Sequence, residues 1–565
     1  MISLQFALLG CLVWVLWRVF RQYVVPSPLD VLPGPAPTSF WKGSLGRLFS
    51  RHGWDFQNEL EDHYDGVAKV TGMLGRKYLY IHDPKALNSI IVRDQYVHEP
   101  TTWFTESINL MFGPGLLATY GTVLIPPAFI YMRSMWWCLL GDHHRRQRKL
   151  LNPVFSINHM RHMTPLFYKV SHNLRDALAA QVKDGSRDTD MLRWFNRTAL
   201  ELIGQGGLGY SFDRLVEDAP NAFGDAMKAL LPAIFSMSLP RLFAPYFKYM
   251  GTPAFRRKVL DLLPLPQLHK IAQIVDTMSV QAHMIFDQKR EALKAGDEAV
   301  MQQIGEGRDI MSILLRANTE ASEEDRLPEN ELIAQMAILV FAATDTTTSA
   351  LVQTLQLLIE HPDVQEKVRQ EIAEAKENTN QDIPYDRLVD LPLLDAVCRE
   401  TLRLYPPVTF VHRETRADIV VPLLKPITGV NGQLIREIPV QKDTPVIVGL
   451  RACNRSEAIW GPDAKEWKPE RWLAPLPGSV AEAHVPGVYS NLMTFLGGGR
   501  ACIGFKFSQL EMKVVLAIIL ESFRFSKADN GDKVVWNLAG VRYPTVGRES
   551  NKPSFPMKVE LIAKN

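Results

Sequence analysis

The chain begins with an almost wholly apolar stretch. Residues 2–17 carry no charged side chain, and Arg18 and Arg21 follow directly after them. A helix that spans a bilayer needs about 20 apolar residues, and flanking arginines extend the usable length because their side chains reach the interface. Basic residues after the stretch predict that the remainder of the chain stays in the cytoplasm. The pattern therefore predicts an uncleaved, single-pass membrane anchor over residues 1–24.

A proline-rich segment separates this anchor from the first predicted strands. Leu32-Pro-Gly-Pro-Ala-Pro37 is conformationally stiff, and we interpret residues 25–40 as a hinge. Beyond it, apolar and polar residues alternate over residues 67–71 and 77–81, which is typical of strands that bury one face. These elements predict a small β-region ahead of the main body of the chain.

Helical periodicity dominates the rest of the chain. From about residue 155 to residue 320 the pattern predicts long amphipathic helices joined by polar turns. Residues 230–247 are apolar, aromatic and proline-containing, and two interpretations stand for them: ordinary core or a loop. A longer helix is predicted from Pro328 to Glu360, because His361-Pro362 would end it. At 1.5 Å per residue this helix would be roughly 48 Å long.

Composition narrows the class of protein. Hydrophobic residues make up 46% of the 565 residues and charged residues 22%, so the chain can bury a large core. A net charge of +2 argues against a nucleic-acid partner. The five cysteines are scattered, which suits a reducing compartment and argues against a disulfide framework or a zinc site. No internal repeat or linker divides residues 41–565, which we interpret as one domain.

One cysteine has a distinctive setting. The segment from Phe495 to Gly504 is Phe-Leu-Gly-Gly-Gly-Arg-Ala-Cys-Ile-Gly, with Arg500 two residues before Cys502. Glycines let a bulky planar ligand approach the backbone closely, and a thiolate in such a loop is one of the few protein ligands of haem iron. The alternatives are a buried structural cysteine and a phosphate-binding loop. No Gly-Lys-Ser/Thr follows the glycines, so the phosphate loop is disfavoured.

Two further motifs contain polar or charged residues in predicted helices, where their burial would be energetically unfavourable without hydrogen-bond partners. Asp345-Thr346 lies inside the long apolar helix, where buried polar groups need hydrogen-bond partners and threonine can bend a helix. An ordinary packing role is the alternative for these residues. Farther on, Glu400 and Arg403 share one helix face, and Arg471 of a Pro-Glu-Arg-Trp motif could join them in a three-member ion-pair network.

Taken in sequence order, these motifs resemble those of the cytochrome P450 superfamily, and the resemblance covers nearly the whole chain after the anchor. It implies a mainly α-helical fold with a small β-region, in which a triangular prism of helices surrounds a haem. It also implies haem b as the cofactor and Cys502 as the axial thiolate ligand of its iron. His144 occupies a position where many relatives have tryptophan. The other cofactor-binding residues implied by the resemblance are Arg500, Arg148, His144, Arg413 and Phe495.

The resemblance also implies a reaction. Thr346 would hold a proton-donating water and Asp345 would feed protons from solvent, making residues 41–565 a haem-thiolate catalytic domain. One atom of O2 would enter a lipophilic small molecule, with electrons from a separate NADPH-dependent reductase flavoprotein. The anchor would sit in the lipid of the endoplasmic reticulum membrane, with the catalytic domain in the cytoplasm.

Several motifs resemble those of fungal members of the superfamily, many of which act in the biosynthesis of terpenoids and other secondary metabolites. Oxidation of fatty acids or of foreign compounds is an alternative role. An isomerase or dehydratase that needs no oxygen would carry the same cysteine loop, and so would a non-catalytic haem-binding membrane protein. The substrate itself does not follow from the sequence.

Residues 121–140 form an unusual apolar insertion with one charged side chain, and Pro126-Pro127 would break a helix there. Without the insertion, Tyr120 would join Gly141 in a stretch that resembles continuous family sequence. Two interpretations stand: a translated, unspliced intron, or a membrane-dipping insertion in the loop through which substrate passes. If the segment is translated, it could disrupt the haem site.

Overall fold

The computed structural model describes residues 25–121, 143–216, 222–247, 249–376, 381–529, 531 and 533–562, together with residues 10, 13, 17 and 20. The predicted anchor over residues 1–24 lies outside the described residues except at those four positions. The predicted insertion over residues 121–140 lies outside them except for Gly121. Both assignments therefore stay predictions.

Most of the described chain is helical, as the sequence predicts. The α-helices are, in chain order, α1 Leu45–Leu48, α2 Trp54–Asp62, α3 Pro84–Asn88, α4 Thr102–Phe112, α5 His143–Leu151, α6 Ile157–Gln181, α7 Met191–Leu202, α8 Ala222–Ser236, α9 Ala244–Phe247, α10 Pro253–Leu262, α11 Pro266–Ala295, α12 Asp297–Met301, α13 Ile310–Glu320, α14 Glu329–Glu360, α15 Pro362–Lys376, α16 Tyr385–Val389, α17 Pro392–Leu404, α18 Leu450–Asn454, α19 Glu457–Trp460, α20 Gly478–Ala483 and α21 Phe505–Ser522.

The strands are short. They are β1 Val67–Thr71, β2 Lys77–Ile81, β3 His98–Glu99, β4 Arg187–Asp190, β5 Phe410–Thr415, β6 Ile419–Thr428, β7 Leu434–Val440, β8 Pro445–Gly449, β9 Phe523–Lys527, β10 Val534–Ala539, β11 Val541–Val546 and β12 Pro556–Leu561. The predictions of strands at 67–71 and 77–81 are confirmed by β1 and β2.

The chain forms two compact units, and the first contains the small β-region. It comprises Met1–Thr101, Phe410–Ala464 and Pro477–Gly499. Its five-stranded sheet has the order β1-β2-β8-β5-β3, with β2 and β8 parallel and the other pairs antiparallel. Most side chains of β1 and all of β2 from Tyr78 onward are buried, which gives this unit its apolar centre.

The second unit comprises Thr102–Thr409, Lys465–Leu476 and Arg500–Asn565 and contains the long helices. Helix α14 runs through it and packs against α7, α17 and α21. Pro328 precedes α14 and His361 caps it, so the predicted start and end of this helix are confirmed. Two small sheets complete the unit, the hairpin β10-β11 and the three-stranded β4-β12-β9.

Helix α14 is long and apolar enough to span a bilayer, and it is the one helix among the described residues with this property. However, 67% of its most apolar segment is buried inside the protein. Burial by neighbouring helices identifies α14 as a core helix of the second unit.

The loop interpretation of residues 230–247 is wrong for most of the segment. Helix α8 continues to Ser236 with Pro232 inside it, and after residues 237–239 the 3₁₀ turn Pro240–Phe243 leads into α9. The side chains of Leu230, Ala233 and Ile234 are buried, and this burial outweighs the intrinsic cost of one proline in the helix.

Candidate functional site

Cys502 lies at the start of helix α21 in the second unit. The helix begins at Phe505, with Gly504 as its N-cap residue, and the Gly504 N–H donates a hydrogen bond to the Cys502 sulfur. The Cys502 side chain is accessible, yet enough protein surrounds it that loss of hydration raises the pKa of the thiol. The Gly504 N–H and the nearby Arg148 lower the same pKa. A donor N–H, a helix N-terminus and a cation are the features that favour a thiolate.

Two arginines hold the backbone beside this cysteine. The Nη1 group of Arg148 donates to the carbonyl oxygen of Ala501 over 2.6 Å, and the Nη2 group of Arg500 donates to the carbonyl oxygen of Thr119 over 3.0 Å. Burial lowers the pKa of Arg148, with a further lowering from Arg500, while the Cys502 thiol raises it. The structure therefore brings together three of the predicted site residues: Arg148, Arg500 and Cys502.

Helix α5 carries both Arg148 and His144, which lie one turn apart on the helix. His144 is buried. The helix is fixed to the start of α14 through Glu331, whose Oε2 lies 2.9 Å from His143 Nε2 and 2.7 Å from Gln147 Nε2. The sequence analysis missed Glu331 and Gln147, although the spacing His143-x-x-x-Gln147 on one helix face was available as a signal.

Two threonines in the polar run of α14 hydrogen-bond to the preceding turn, whereas the buried Thr348 hydroxyl makes no hydrogen bond to any residue that the structure describes. The Thr346 hydroxyl donates to the carbonyl oxygen of Ala342 over 2.8 Å, and the Thr344 hydroxyl donates to that of Val340 over 2.8 Å. Such bonds to the preceding turn let threonine reside in an apolar helix and favour local bending. Each hydroxyl oxygen also retains lone pairs that can accept a hydrogen bond.

Asp345 lies in a different environment from its neighbour Thr346. Burial raises the pKa of Asp345 to about 7, and the nearby Lys228 of α8 opposes this shift. The Asn196 side-chain amide of α7 donates to Asp345 Oδ1 over 3.3 Å. A carboxyl group with a pKa close to 7 can both hold and release a proton at neutral pH.

A small cavity adjoins Asp345. Its volume is about 30 Å³, and Asn196, Lys228, Asp345 and Arg542 are among its lining residues. This volume is sufficient for about two water molecules, and the lining supplies the polar partners that buried water requires. The sequence analysis missed Lys228 and Arg542, because neither lies near Asp345 in the chain.

Glu511 of α21 is a buried acid that the sequence analysis also missed. It is 1% exposed, and both of its carboxyl oxygens are buried. Burial raises the pKa of Glu511 well above its ordinary value, and the hydroxyl of Thr347 on α14 partly opposes the shift. Glu511 thus lies on the helix that follows Cys502 and faces Thr347 on the helix that carries Asp345.

The predicted ion-pair network around Glu400 is confirmed. Arg403 donates to both Glu400 carboxylate oxygens, over 2.7 and 2.8 Å, and Arg471 Nε lies 3.3 Å from Oε1. The Trp472 indole N–H and the Lys468 backbone N–H donate to the same carboxylate. The carboxylate thus accepts several hydrogen bonds in a site that excludes water, which suits a structural role.

Phe495 and Arg413 belong to the first unit. Phe495 ends a 3₁₀ turn, Met493–Phe495, and its ring makes an edge contact with Tyr489 at a centroid distance of 5.6 Å. Arg413 is buried in β5 and donates to the carbonyl oxygen of His412 over 2.9 Å. Their predicted contacts with the cofactor stay predictions.

One glycine of the first unit meets a strict spatial requirement. Gly498 has φ +62°, and a Cβ built there would lie 2.0 Å from the carbonyl oxygen of Ile91. Only glycine fits this position, which explains one glycine of the Phe495–Gly504 motif by backbone geometry.

The chain is similar to known proteins over almost its full length. The family model "Cytochrome P450" matches residues 137–539. "Cytochrome P450 monooxygenase 91" of Postia placenta is 54% identical over 559 residues, which cover 99% of each chain. "Ganoderic acid synthetase CYP5150L8" of Ganoderma lucidum is 44% identical over 554 residues, 97% of each chain.

A solved structure is similar in fold. "Crystal structure of a Cytochrome P450 (CYP102L1)" matches with a TM-score of 0.67 and 21% sequence identity, covering 94% of this chain and 100% of that one. The chain belongs to the cytochrome P450 family and is a monooxygenase, an oxidoreductase. The family implies a haem-thiolate iron centre, a redox partner, O2 and a lipophilic substrate.

Proposed function

We propose that this protein is a membrane-anchored haem-thiolate monooxygenase that oxidises a terpenoid-like lipophilic molecule in fungal secondary metabolism. The observation that carries the proposal is the arrangement around Cys502: a helix N-terminus, the Gly504 N–H at the sulfur and the guanidinium of Arg148 nearby. These features stabilise a thiolate, the form of cysteine that binds iron.

The residues present fit haem b. Cys502 Sγ would be the iron ligand, and Arg148, Arg500, His144 and Arg413 would neutralise or hydrogen-bond the two propionates. Phe495 would contribute an aromatic contact to the haem. When bound, the haem activates O2, so that one oxygen atom enters a C–H bond or an alkene and the other leaves as water.

The chain's own contribution to the chemistry is proton delivery. Asp345 would take protons from the cavity beside it and release them, which its pKa of about 7 permits near neutral pH. The Thr346 hydroxyl, anchored on the carbonyl oxygen of Ala342, would accept a hydrogen bond from the water that carries the proton onward. Lys228 and Asn196 would set the charge and orientation of Asp345.

Thr346→Ala tests this assignment. We expect it to lower the fraction of NADPH electrons that appear in product. Without the Thr346 hydroxyl, the water that carries protons to the site would no longer be held in place. Thr344→Ala removes an equivalent hydroxyl from the same helix and should leave this fraction unchanged. Equal coupling of oxygen to product in the Thr346→Ala variant and the parent would refute the role of Thr346.

A lipophilic substrate would reach the protein from the membrane. Large apolar side chains are exposed in the segment from Phe243 to Leu265, with Tyr249 78% and Leu262 84% exposed. Such a surface suits contact with acyl chains. The terpenoid class is inferred from the resemblance to fungal family members, and one relative is named for an acid, ganoderic acid.

The assignments outside the catalytic site rest on the sequence. Residues 1–24 would anchor the protein in the endoplasmic reticulum membrane in a single pass, residues 25–40 would form the hinge, and residues 41–565 would form the cytoplasmic catalytic domain. Electrons would come from an NADPH-dependent reductase flavoprotein. Residues 121–140 would be absent from the active form if they derive from a retained intron.

The test is expression with a reductase, with and without residues 121–140. We expect the active form to give the carbon monoxide difference spectrum of a haem-thiolate protein and an NADPH-dependent product from a terpenoid panel. Cys502→Ala should abolish the thiolate spectrum. A wild-type protein that binds haem without that spectrum would contradict the proposal. A cDNA that retains residues 121–140 as the main transcript would refute the intron interpretation alone.

A further inference from the structure

Arg241 is a partly buried cation whose guanidinium lies against an aromatic ring. It lies in the 3₁₀ turn Pro240–Phe243, between α8 and α9, and its guanidinium carbon is 5.3 Å from the centroid of the Trp103 ring. Its Nε atom is buried and makes no hydrogen bond. Among the residues that the structure describes, no carboxylate pairs with this guanidinium.

Three buried cations elsewhere in the second unit are paired. Lys289 lies 2.6 Å from Asp309, Arg197 lies 2.6 Å from Asp213, and Arg403 lies 2.7 Å from Glu400. Arg241 is only partly buried, and even partial loss of hydration is unfavourable for a charge without a partner. Loss of hydration lowers the pKa of Arg241 to about 10, so the side chain still carries its charge at neutral pH. The face of Trp103 offers only a partial substitute for an anion.

Helix α4 connects the surroundings of Arg241 to the part of α14 that precedes Asp345 and Thr346. Trp103 lies near the start of α4, and the turn that carries Arg241 packs against this helix. Phe112 ends α4, and its ring lies 4.9 Å from that of Phe341, which precedes Ala342 on α14. Nine residues of helix separate Trp103 from Phe112, a rise of about 13 Å.

We propose that Arg241 binds the carboxylate of an elongated lipophilic acid, whose far end then reaches toward Asp345 and Thr346 of α14. A guanidinium forms two parallel hydrogen bonds with a carboxylate, so such a ligand would supply the partner that the protein does not. The inference rests on the proposed function. It narrows the substrate class to acids at least as long as the distance from Trp103 to Phe112 along α4, about 13 Å.

A phosphate of a membrane lipid is a second anion that a guanidinium binds, and Phe243 and Tyr246 beside Arg241 are exposed. The burial of Nε favours the carboxylate, since a lipid headgroup stays hydrated at the bilayer surface whereas this nitrogen does not reach water. The test therefore also measures binding of the protein to lipid vesicles.

The test compares acids with their methyl esters on the full-length, haem-loaded protein. Palmitic acid and abietic acid, each beside its methyl ester, are titrated by the spin-state change of the haem absorbance and by calorimetry. We expect at least one acid to bind roughly 10- to 100-fold more tightly than its ester, the range for a hydrogen-bonded charged group. Arg241→Gln should remove this preference and leave ester binding unchanged, and Arg241→Lys should retain part of it.

Arg257→Gln is the matched control. Arg257 follows Arg241 in the same region but is exposed and paired with Asp276 over 2.8 Å, so its loss should not change the preference for acids. Equal affinities of the wild-type protein for both acids and their esters would overturn the inference without any variant. So would an equal weakening of acid and ester by Arg241→Gln, which would assign Arg241 to packing alone.

Two further measurements separate lipid binding and loss of the haem site from carboxylate binding. Sedimentation with phosphatidylserine-containing and phosphatidylcholine vesicles measures lipid binding. A loss of anionic-vesicle binding in Arg241→Gln, with acid binding intact, would assign the site to lipid and refute the carboxylate. Absence of the thiolate spectrum in the wild-type protein would refute the proposed function, whereas an intact spectrum without acid preference refutes only this inference.

Discussion

Arg148 donates a hydrogen bond of 2.6 Å to the carbonyl oxygen of Ala501, the residue directly before Cys502. A side chain of α5 thereby fixes the backbone that carries the predicted iron ligand. Because the guanidinium lies close to the thiol, it also favours the ionised form of Cys502. One residue thus combines a structural and an electrostatic role.

We expect Arg148→Ala to lower both stability and haem retention. The loss of a charge-assisted hydrogen bond to a partly buried carbonyl should cost about 1–3 kcal/mol of unfolding free energy. The haem-to-protein ratio and the thermal midpoint measure these two effects. Lys149→Ala, the next residue on the same helix, removes an exposed pair with Asp325 and should change neither. Full haem content in Arg148→Ala would contradict the assigned role.

Asp345→Asn should slow turnover by on the order of 100-fold, because the amide cannot deliver protons. The wild-type rate should fall as the pH rises above about 7, where Asp345 loses its proton. The variant should lack this inflection. Steady-state rates across the pH range check both points, with Asp363→Asn on the surface of α15 as the control. A variant that keeps the inflection would place the titrating group elsewhere.

Glu400→Ala should destabilise the second unit by about 3–5 kcal/mol, because it leaves Arg403 and Arg471 buried without their carboxylate. Denaturant unfolding of the purified protein measures the change. Glu291→Ala removes the acid of an exposed helical pair with Lys294 and should have almost no effect. A small effect at Glu400 would mean that the two arginines find other partners.

Glu511 should make stability depend on pH. Its pKa is 4.5 in ordinary surroundings and raised well above that in the folded protein, so the folded state binds the extra proton. Its contribution to stability is complete below pH 4.5 and is lost progressively as the pH rises toward the raised folded value.

Glu511→Gln replaces the carboxyl group with an amide of the same shape that does not titrate, so it should remove this pH slope while the protein still folds. Unfolding free energies at several pH values, for the variant and the parent, test the prediction. Equal slopes in the two proteins would show that Glu511 is already ionised in the fold.

Several features could be predicted from local sequence alone. Strands β1 and β2 follow from alternation, and α14 follows from an apolar run that a His-Pro pair ends. Such patterns depend on neighbours within a few residues, and local sterics and periodic burial determine them. The extension of α8 through Pro232 could not be predicted in this way, because burial of its apolar face by other elements outweighs the local preference.

By itself, the sequence determined the family, the cysteine loop with Cys502, the Asp345-Thr346 pair and the membership of the Glu400 network. Each is a motif whose residues lie close together in the chain or carry a recognisable spacing. Only the tertiary structure decided which distant residues set their environments: Lys228 and Asn196 beside Asp345, Glu511 beside Thr347, and Arg241 over Trp103. The physical reason is that burial and electrostatic partners depend on packing between elements far apart in sequence, which no local spacing encodes.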